Sequence, residues 1–445
     1  TALAVLWVVN GQSLFNLPRY VQSSLELSSG YTEAMAVWLH RLGRKVQLYL
    51  AAGILMAIAI GAACSIYHSK QRVREMAVAL ILGAASFIMW KHGFVRHDGH
   101  EARFFTFMCL APFVLAGGAE WRLGRSLLLY GTVLGSLAGF YPMDGSPLQD
   151  PHYIRTRFQY FTARADWLIS PMKNAVRMDN ELAARREQFA LPKIRATVKD
   201  AGVDSLSDSQ GILFLNELNW KPRPVMQSHA TVTAALIEAN ADFYRSAKAP
   251  EFVITQFHPI DDRPISAEDP LALIEILARY KPVLIEREFL LLRRQPEAAL
   301  AAPVLLLEKT MSQDEVLDLS AWRGKLLMAK IDLGYTAWGS LFKFVWKPPE
   351  VYLNATVAGD GTYSKRLIPS MVRSGFLLQP FLAMESDFVD HYRGSPGRMV
   401  QSLGLTYRKG WNSHYSAAYH ISIYELPAEN FSKLSPAENA TLAAP

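Results

Sequence analysis

Lys91–Phe105 reads KHGFVRHDGHEARFF and packs three histidines, two acids and three basic side chains into fifteen residues. Apolar sequence flanks it on both sides, so the charge is concentrated where a membrane would end. Ionisable groups at bilayer depth are costly and usually mark function. Lys91, Arg96 and Arg103 supply cations for a phosphate or diphosphate, the arginines as bidentate forks. Asp98 or Glu101 can serve as general base toward a hydroxyl, and His97 and His100 can carry a proton near neutral pH. Gly93 and Gly99 let the backbone turn and approach a ligand closely.

The same residues permit two other readings. His97, Asp98, His100 and Glu101 are metal-ligating types, and in a helix His97 and Glu101 would share a face. Their spacing matches no metal motif, and HEARF lacks the second histidine of HExxH. No metal is therefore required, while a divalent ion stays open as an alternative. In the other reading the loop meets lipid headgroups, with Trp90, Phe104 and Phe105 as an aromatic belt.

The elements that must position this loop are apolar. Val46–Tyr67, Met76–Trp90, Phe104–Ala119 and Ser126–Tyr141 form four uncharged runs. The first reaches the roughly 20 residues a bilayer requires. The other three, of 15 to 16 residues, need snorkelling neighbours such as Lys91 and Arg122. A buried helical bundle in water is the competing assignment. Gly53, Ala57 and Gly61, and Gly131, Gly135 and Gly139, have the spacing of close helix contacts in lipid. The opening TALAVLWVV reads as the end of a further transmembrane helix, making the bundle incomplete at its N-terminus.

With four spans, Asn10–Lys45, Lys91–Arg103 and everything after Pro142 share one side, and 68–75 and 120–125 take the other. The mixture of Arg with His, Asp and Glu suits a site, so that first side is expected to be extracytoplasmic. The 10–45 loop reads as an amphipathic or re-entrant piece. Its Arg41 and Lys45 would share a helical face at the membrane edge, positioned for a donor phosphate.

From Thr1 to Gly145 there are 12 Lys/Arg against 7 Asp/Glu, and beyond it 34 against 33. Five of the six net positive charges thus belong to the apolar third. No basic stripe interleaved with aromatics appears, which argues against nucleic acid. Cys64 and Cys109 lie in apolar runs and read as buried hydrophobes.

Segments 1–142, 143–200, 201–296, 303–428 and 429–445 read as transmembrane bundle, helical connector, α/β domain, β-sandwich and tail. GILFL (211–215), EFVITQF and EFLLLRR, alternating with two helices, predict the α/β sheet. PVLLLEK, KLLMAKIDL, SLFKFVW, VYLNATV, SGFLLQPFL and YHISIYEL predict strands of a jelly-roll-like sandwich. LSPAENATLAAP reads as a disordered tail. Trp220, Arg223, Gln227 and His229, in a loop after a predicted strand, suit a sugar face and its hydroxyls, with rigid packing by Pro222 and Pro224 as the plainer alternative. FHPIDDRP (257–264) would join the same edge.

An Arg/His/Asp loop between spans, joined to a large appended domain, resembles bacterial membrane enzymes of glycan assembly. These are the GT-C-type polyprenyl-linked sugar transferases and the O-antigen polymerase and ligase group. The resemblance covers Asn10 to Tyr141 and lies in arrangement. It implies a multi-pass inner-membrane protein with an extracytoplasmic domain. The donor would be a polyprenyl-linked sugar, the acceptor a glycan hydroxyl. It also implies donor phosphates on Arg96 and Arg103 and a base at Asp98 or His97. A membrane-anchored glycan-binding or export subunit without enzymatic activity is the alternative.

Overall fold

The computed structural model describes residues 2–38, 42–116, 122–140, 152–295, 298–395, 397–427 and 433–443. About half of it is helix and a fifth strand, with the sheets in the C-terminal half. It divides into two compact units, Met35–Asp179 with Phe342–Lys347, and Thr1–Ala34 with Asn180–Leu341 and Pro348–Pro445.

In the first unit the helices Leu42–His68, Arg72–Phe94, Glu101–Ala116 and Arg122–Phe140 pack together. Ile54, Ile58, Leu82, Phe94, Phe104, Phe105 and Met108 form their core. Two helices, Arg44–His68 and Arg72–Phe94, are long and apolar enough to cross a membrane, while Leu128–Phe140 is shorter. Only 28% and 17% of their apolar windows are buried within the protein. Tyr49, Met56, Ile60, Leu80, Ile81 and Ile88 remain more than half exposed. A helix in the core of a water-soluble protein would instead be buried nearly all round, and large exposed apolar patches mark lipid or partner surfaces.

The small residues divide into those that matter for packing and those that do not. A Cβ at Gly139 would stand 2.3 Å from the Phe105 ring and one at Gly61 2.7 Å from Leu128, whereas Gly53 and Gly131 face open space. Phe105 cannot retreat, because Phe94 and Phe104 pack on it. Gly139→Ala should therefore lower the unfolding temperature and the yield of folded protein, with a cost of about 1–3 kcal/mol for overpacking. Gly131→Ala should leave both unchanged in the same thermal assay.

The second unit contains a five-stranded sheet of β1 (Gly202–Leu206), β2 (Asn219–Trp220), β3 (Phe252–Thr255), β4 (Tyr280–Glu286) and β5 (Phe289–Arg294). Its order is β2-β1-β3-β5-β4; β1 is parallel to β2 and β3, and β5 is antiparallel to β3 and β4. GILFL is not a strand. It forms the helix Gly211–Leu215, and the preceding GVDSL supplies β1. A short apolar run has no period that separates strand from buried helix.

Eight further strands follow: β6 (Val304–Ser312), β7 (Val316–Asp318), β8 (Leu327–Asp332), β9 (Val351–Val357), β10 (Gly361–Leu367), β11 (Phe376–Gln379), β12 (Val400–Tyr407) and β13 (Ala418–Glu425). They form two antiparallel sheets, β10-β9-β12-β7 and β11-β8-β13-β6, the strand order of a jelly roll. Leu353, Val357 and Leu403 of one sheet and Leu327, Ile331 and Ile423 of the other share one core. SLFKFVW is not among the strands, because Ala337–Val345 is helical.

Three expected boundaries are corrected. The α/β and β segments 201–296 and 303–428 are not separate cores, since Leu206, Tyr244 and Leu277 cluster with Leu326, Met328 and Leu377. Residues up to Ala34 belong to this unit rather than to the helical bundle. Arg263 Nη2 donates to Ala34 O at 2.7 Å, and the Glu33 carboxylate accepts from Ser370 N at 2.8 Å. The tail is partly ordered as the helix Pro436–Ala443, with Leu442 buried and Glu438 paired to Lys281 at 2.8 Å.

Candidate functional site

The helix Arg72–Phe94 ends with Val95 as its C-cap, and the chain reverses into Glu101–Ala116. The reversal uses left-handed backbone at His97 (φ 45°) and Gly99 (φ 116°). Glycine accepts such a φ readily, whereas His97 must be held there by its contacts.

Asp98 lies at the centre of the loop. One carboxylate oxygen accepts from Arg96 Nε at 2.9 Å and the other pairs with His100 Nδ1 at 2.7 Å. Burial works to raise the Asp98 carboxyl, but hydrogen bonding and charge from Arg96 and His100 outweigh it and hold it below the usual carboxylate range. Asp98 therefore stays ionised and fixes His100 with Nδ1 toward it. Nε2 is left without a hydrogen bond among the described residues, on a side chain 37% exposed. Arg103, exposed, bonds His92 Nε2 at 2.8 Å, and the His92 and His100 rings lie 5.5 Å apart. A carboxylate-oriented imidazole beside an exposed guanidinium can take a proton from a hydroxyl while an anion is held nearby.

The other predicted residues of the loop serve its architecture. Lys91 Nζ donates to the carbonyls of Lys343, Phe344 and Trp346 at 2.6–3.1 Å, closing a helix C-terminus instead of facing a phosphate. Glu101 is buried, 3.3 Å from Arg44 and accepting from Gly99 N at 2.8 Å. His97 is 3% exposed, bonded to Gln47 Oε1 at 2.9 Å and set edge-on against Phe94. Gln47 in turn donates to Gly139 O at 3.0 Å. His97 thus positions the loop and does not reach solvent. Lys45 is exposed on the Leu42–His68 helix, and Arg41 lies outside the described residues.

His97 also gives a pH prediction. Burial, helped by the charges of Lys347 and Arg44, lowers it to about 3. Its folded pKa lies below the unfolded value near 6.5, so the folded state binds fewer protons. Its contribution is complete above about pH 6.5 and is lost as pH falls toward 3. Unfolding temperature should drop more steeply between those limits in the wild type than in His97→Gln.

In the sheet unit, Trp220, Arg223, Gln227 and His229 do not form one surface. Arg223 is fully buried, 3.0 Å from Asp204 and 3.0 Å from Asp269, and it also donates to Ser228 Oγ at 2.9 Å. It is the hub of an interior network rather than a glycan contact. Trp220 Nε1 donates to Asp204 at 3.0 Å and its ring packs on Phe214. Gln227 is exposed, and His229 lines a slot with Ser207, Asp208, His258 and Glu268.

Sequence reading missed His92 and Gln47 as parts of the loop's support. Gln47 had a signal, as the one amide in the apolar run from Val46 to Ala63. His92 had none, because only the helical reversal brings it to Arg103. Among the described residues no group of three or more His, Cys, Asp or Glu is arranged to hold a metal. The chain matches no protein-family model, no curated protein and no solved structure.

Proposed function

We propose that the chain is a membrane-anchored transferase that moves a sugar, or an assembled glycan, from a polyprenyl-phosphate donor to a hydroxyl acceptor. It would act at the extracytoplasmic face of a bacterial inner membrane, with further apolar helices completing the membrane part. The observation that carries this reading is the Asp98–His100 pair at 2.7 Å, on the loop that closes a helix able to span a bilayer.

In the proposed step His100 Nε2 takes the proton of the acceptor hydroxyl as its oxygen bonds the anomeric carbon. The bond from that carbon to the lipid phosphate breaks, and the phosphate leaves with the electron pair beside Arg103. Asp98 stabilises the imidazolium, and Arg96 positions Asp98. The reaction needs no metal in this form. Mass spectrometry of lipid-linked and surface glycans from a deletion strain tests it: a lipid-linked donor should accumulate as one surface glycan disappears. An unchanged profile in both pools overturns it.

One observation favours a non-enzymatic subunit instead: Lys91, His97 and Glu101 are all occupied in holding the loop together. A rigid charged loop facing headgroups would need no more than that. Asp98→Asn separates the two, because only an enzyme should lose its glycan product on that change while its amount in the membrane stays the same.

A further inference from the structure

The strand order β2-β1-β3 makes β1 and β3 a switch point. The chain leaves β1 toward one side for β2, then crosses to the other side for β3. In open α/β sheets, ligands bind outside the carboxyl ends of the strands at such a point. Here Ser207 and Asp208 follow β1, and Gln256, Phe257 and His258 follow β3. With His229 and Glu268 they line a narrow slot of about 30 Å³, space for one or two waters. Gln256 also lines a neighbouring cleft of about 580 Å³, bounded by Arg185, Phe189, Ile212 and the Arg287–Phe289 turn. The two cavities therefore share a wall at the end of β3.

We propose that this crevice is a carbohydrate-binding site, with sugar rings in the cleft against Phe189 and Phe289 and one ring's hydroxyls reaching past Gln256 to the slot. Sugar rings are flat and apolar on their faces and polar at their edges. The cleft offers partly exposed aromatic rings, and the slot combines hydroxyl, amide, imidazole and carboxyl groups that can both donate and accept. Glu268 lies 3.7 Å from Arg263 and accepts from Ile260 N at 3.0 Å. Burial pushes its carboxyl up to about 7 against those two influences, so near neutrality it exists in both protonation states. A nucleotide fits less well. The helix after β1 has only five residues and no glycine-rich loop precedes it, while Asp208, Glu268 and Glu288 offset the charge of Arg185 and Arg287.

This deepens the transfer reading by giving the acceptor a place, but saccharide binding is measured without turnover. The test uses the full chain in amphipol, free of sugar detergents, and saturation-transfer NMR with millimolar maltotriose, cellotriose, chitotriose and mannotriose. UDP serves as the control. At least one trisaccharide should receive saturation, and Gln256→Ala and Phe289→Ala should each weaken it about tenfold or more. Circular dichroism checks that both variants fold, and Gln256 is the safer of the two because it is not a core residue. Saturation of no trisaccharide, of UDP alone, or equal binding by wild type and Gln256→Ala overturns the proposal. His100→Ala should bind as the wild type does. If it binds and still transfers, the catalytic assignment fails while the saccharide site stands.

Discussion

Asp98→Asn and His100→Ala are expected to reduce glycan transfer by about 10²–10⁴-fold, the range for losing a general base, with the amount of protein in the membrane unchanged. Both side chains are partly exposed, and neither belongs to the buried apolar core. Asparagine can still meet His100 Nδ1, but it brings no charge to stabilise the imidazolium and loses the ion pair with Arg96 at 2.9 Å. The contrast with Glu101→Gln sharpens the assignment. Glu101 is buried against Arg44, so that variant should lose folded protein before it loses specific activity. Transfer is read from surface glycan in a complemented deletion strain, normalised to membrane-extracted protein. Wild-type product from Asp98→Asn would exclude Asp98 from the chemistry.

Arg223→Met should be the most destabilising single change in the sheet unit, by about 3–5 kcal/mol, because breaking a buried pair leaves uncompensated charge. The guanidinium serves two buried carboxylates at once, Nη1 on Asp204 and Nε on Asp269. Tyr244 donates to Asp204 at 2.8 Å and Asn240 to Asp269 at 2.7 Å, but neither neutralises a carboxylate. Burial pushes Asp269 up to about 6 even with Arg223 present. Arg223→Lys should rescue little, since one ammonium cannot reproduce the two directed contacts of the fork. Thermal unfolding of purified protein decides the matter. A shift in Arg223→Met no larger than that of a surface substitution would mean that the carboxylates are protonated or hydrated in the folded state.

From the sequence both arginines were expected to meet a ligand, Arg96 a donor phosphate and Arg223 an acceptor glycan. Arg96 and Arg223 both stood out as arginines in unusual surroundings. The reversal at His97 and Gly99 leaves Arg96 beside a partly exposed pair, whereas β1 and the Asp269 turn enclose Arg223. Nothing in KPRPV distinguishes an interior arginine from one that meets a ligand, because its acids come from 19 residues before it and 46 after.

By itself the sequence determined the concentration of charge between two apolar helices, the alternation of β3 and β5 with helices, and most strands of the jelly roll. These are local properties: an apolar run longer than a bilayer and a period of two or 3.6 need no distant partner to be read. Tertiary structure decided the rest. It made GILFL and SLFKFVW helical, since short apolar runs take whichever form the surrounding core accommodates. It bound the α/β and β segments through one core and assigned the first 34 residues to that unit. Within KHGFVRHDGHEARFF it turned Lys91, His97 and Glu101 inward as supports and left Asp98, His100 and Arg103 more exposed, as the groups the proposed transfer uses. Burial and hydrogen-bond geometry set that division, and both depend on residues such as Gln47 and Arg44 that lie some fifty positions away.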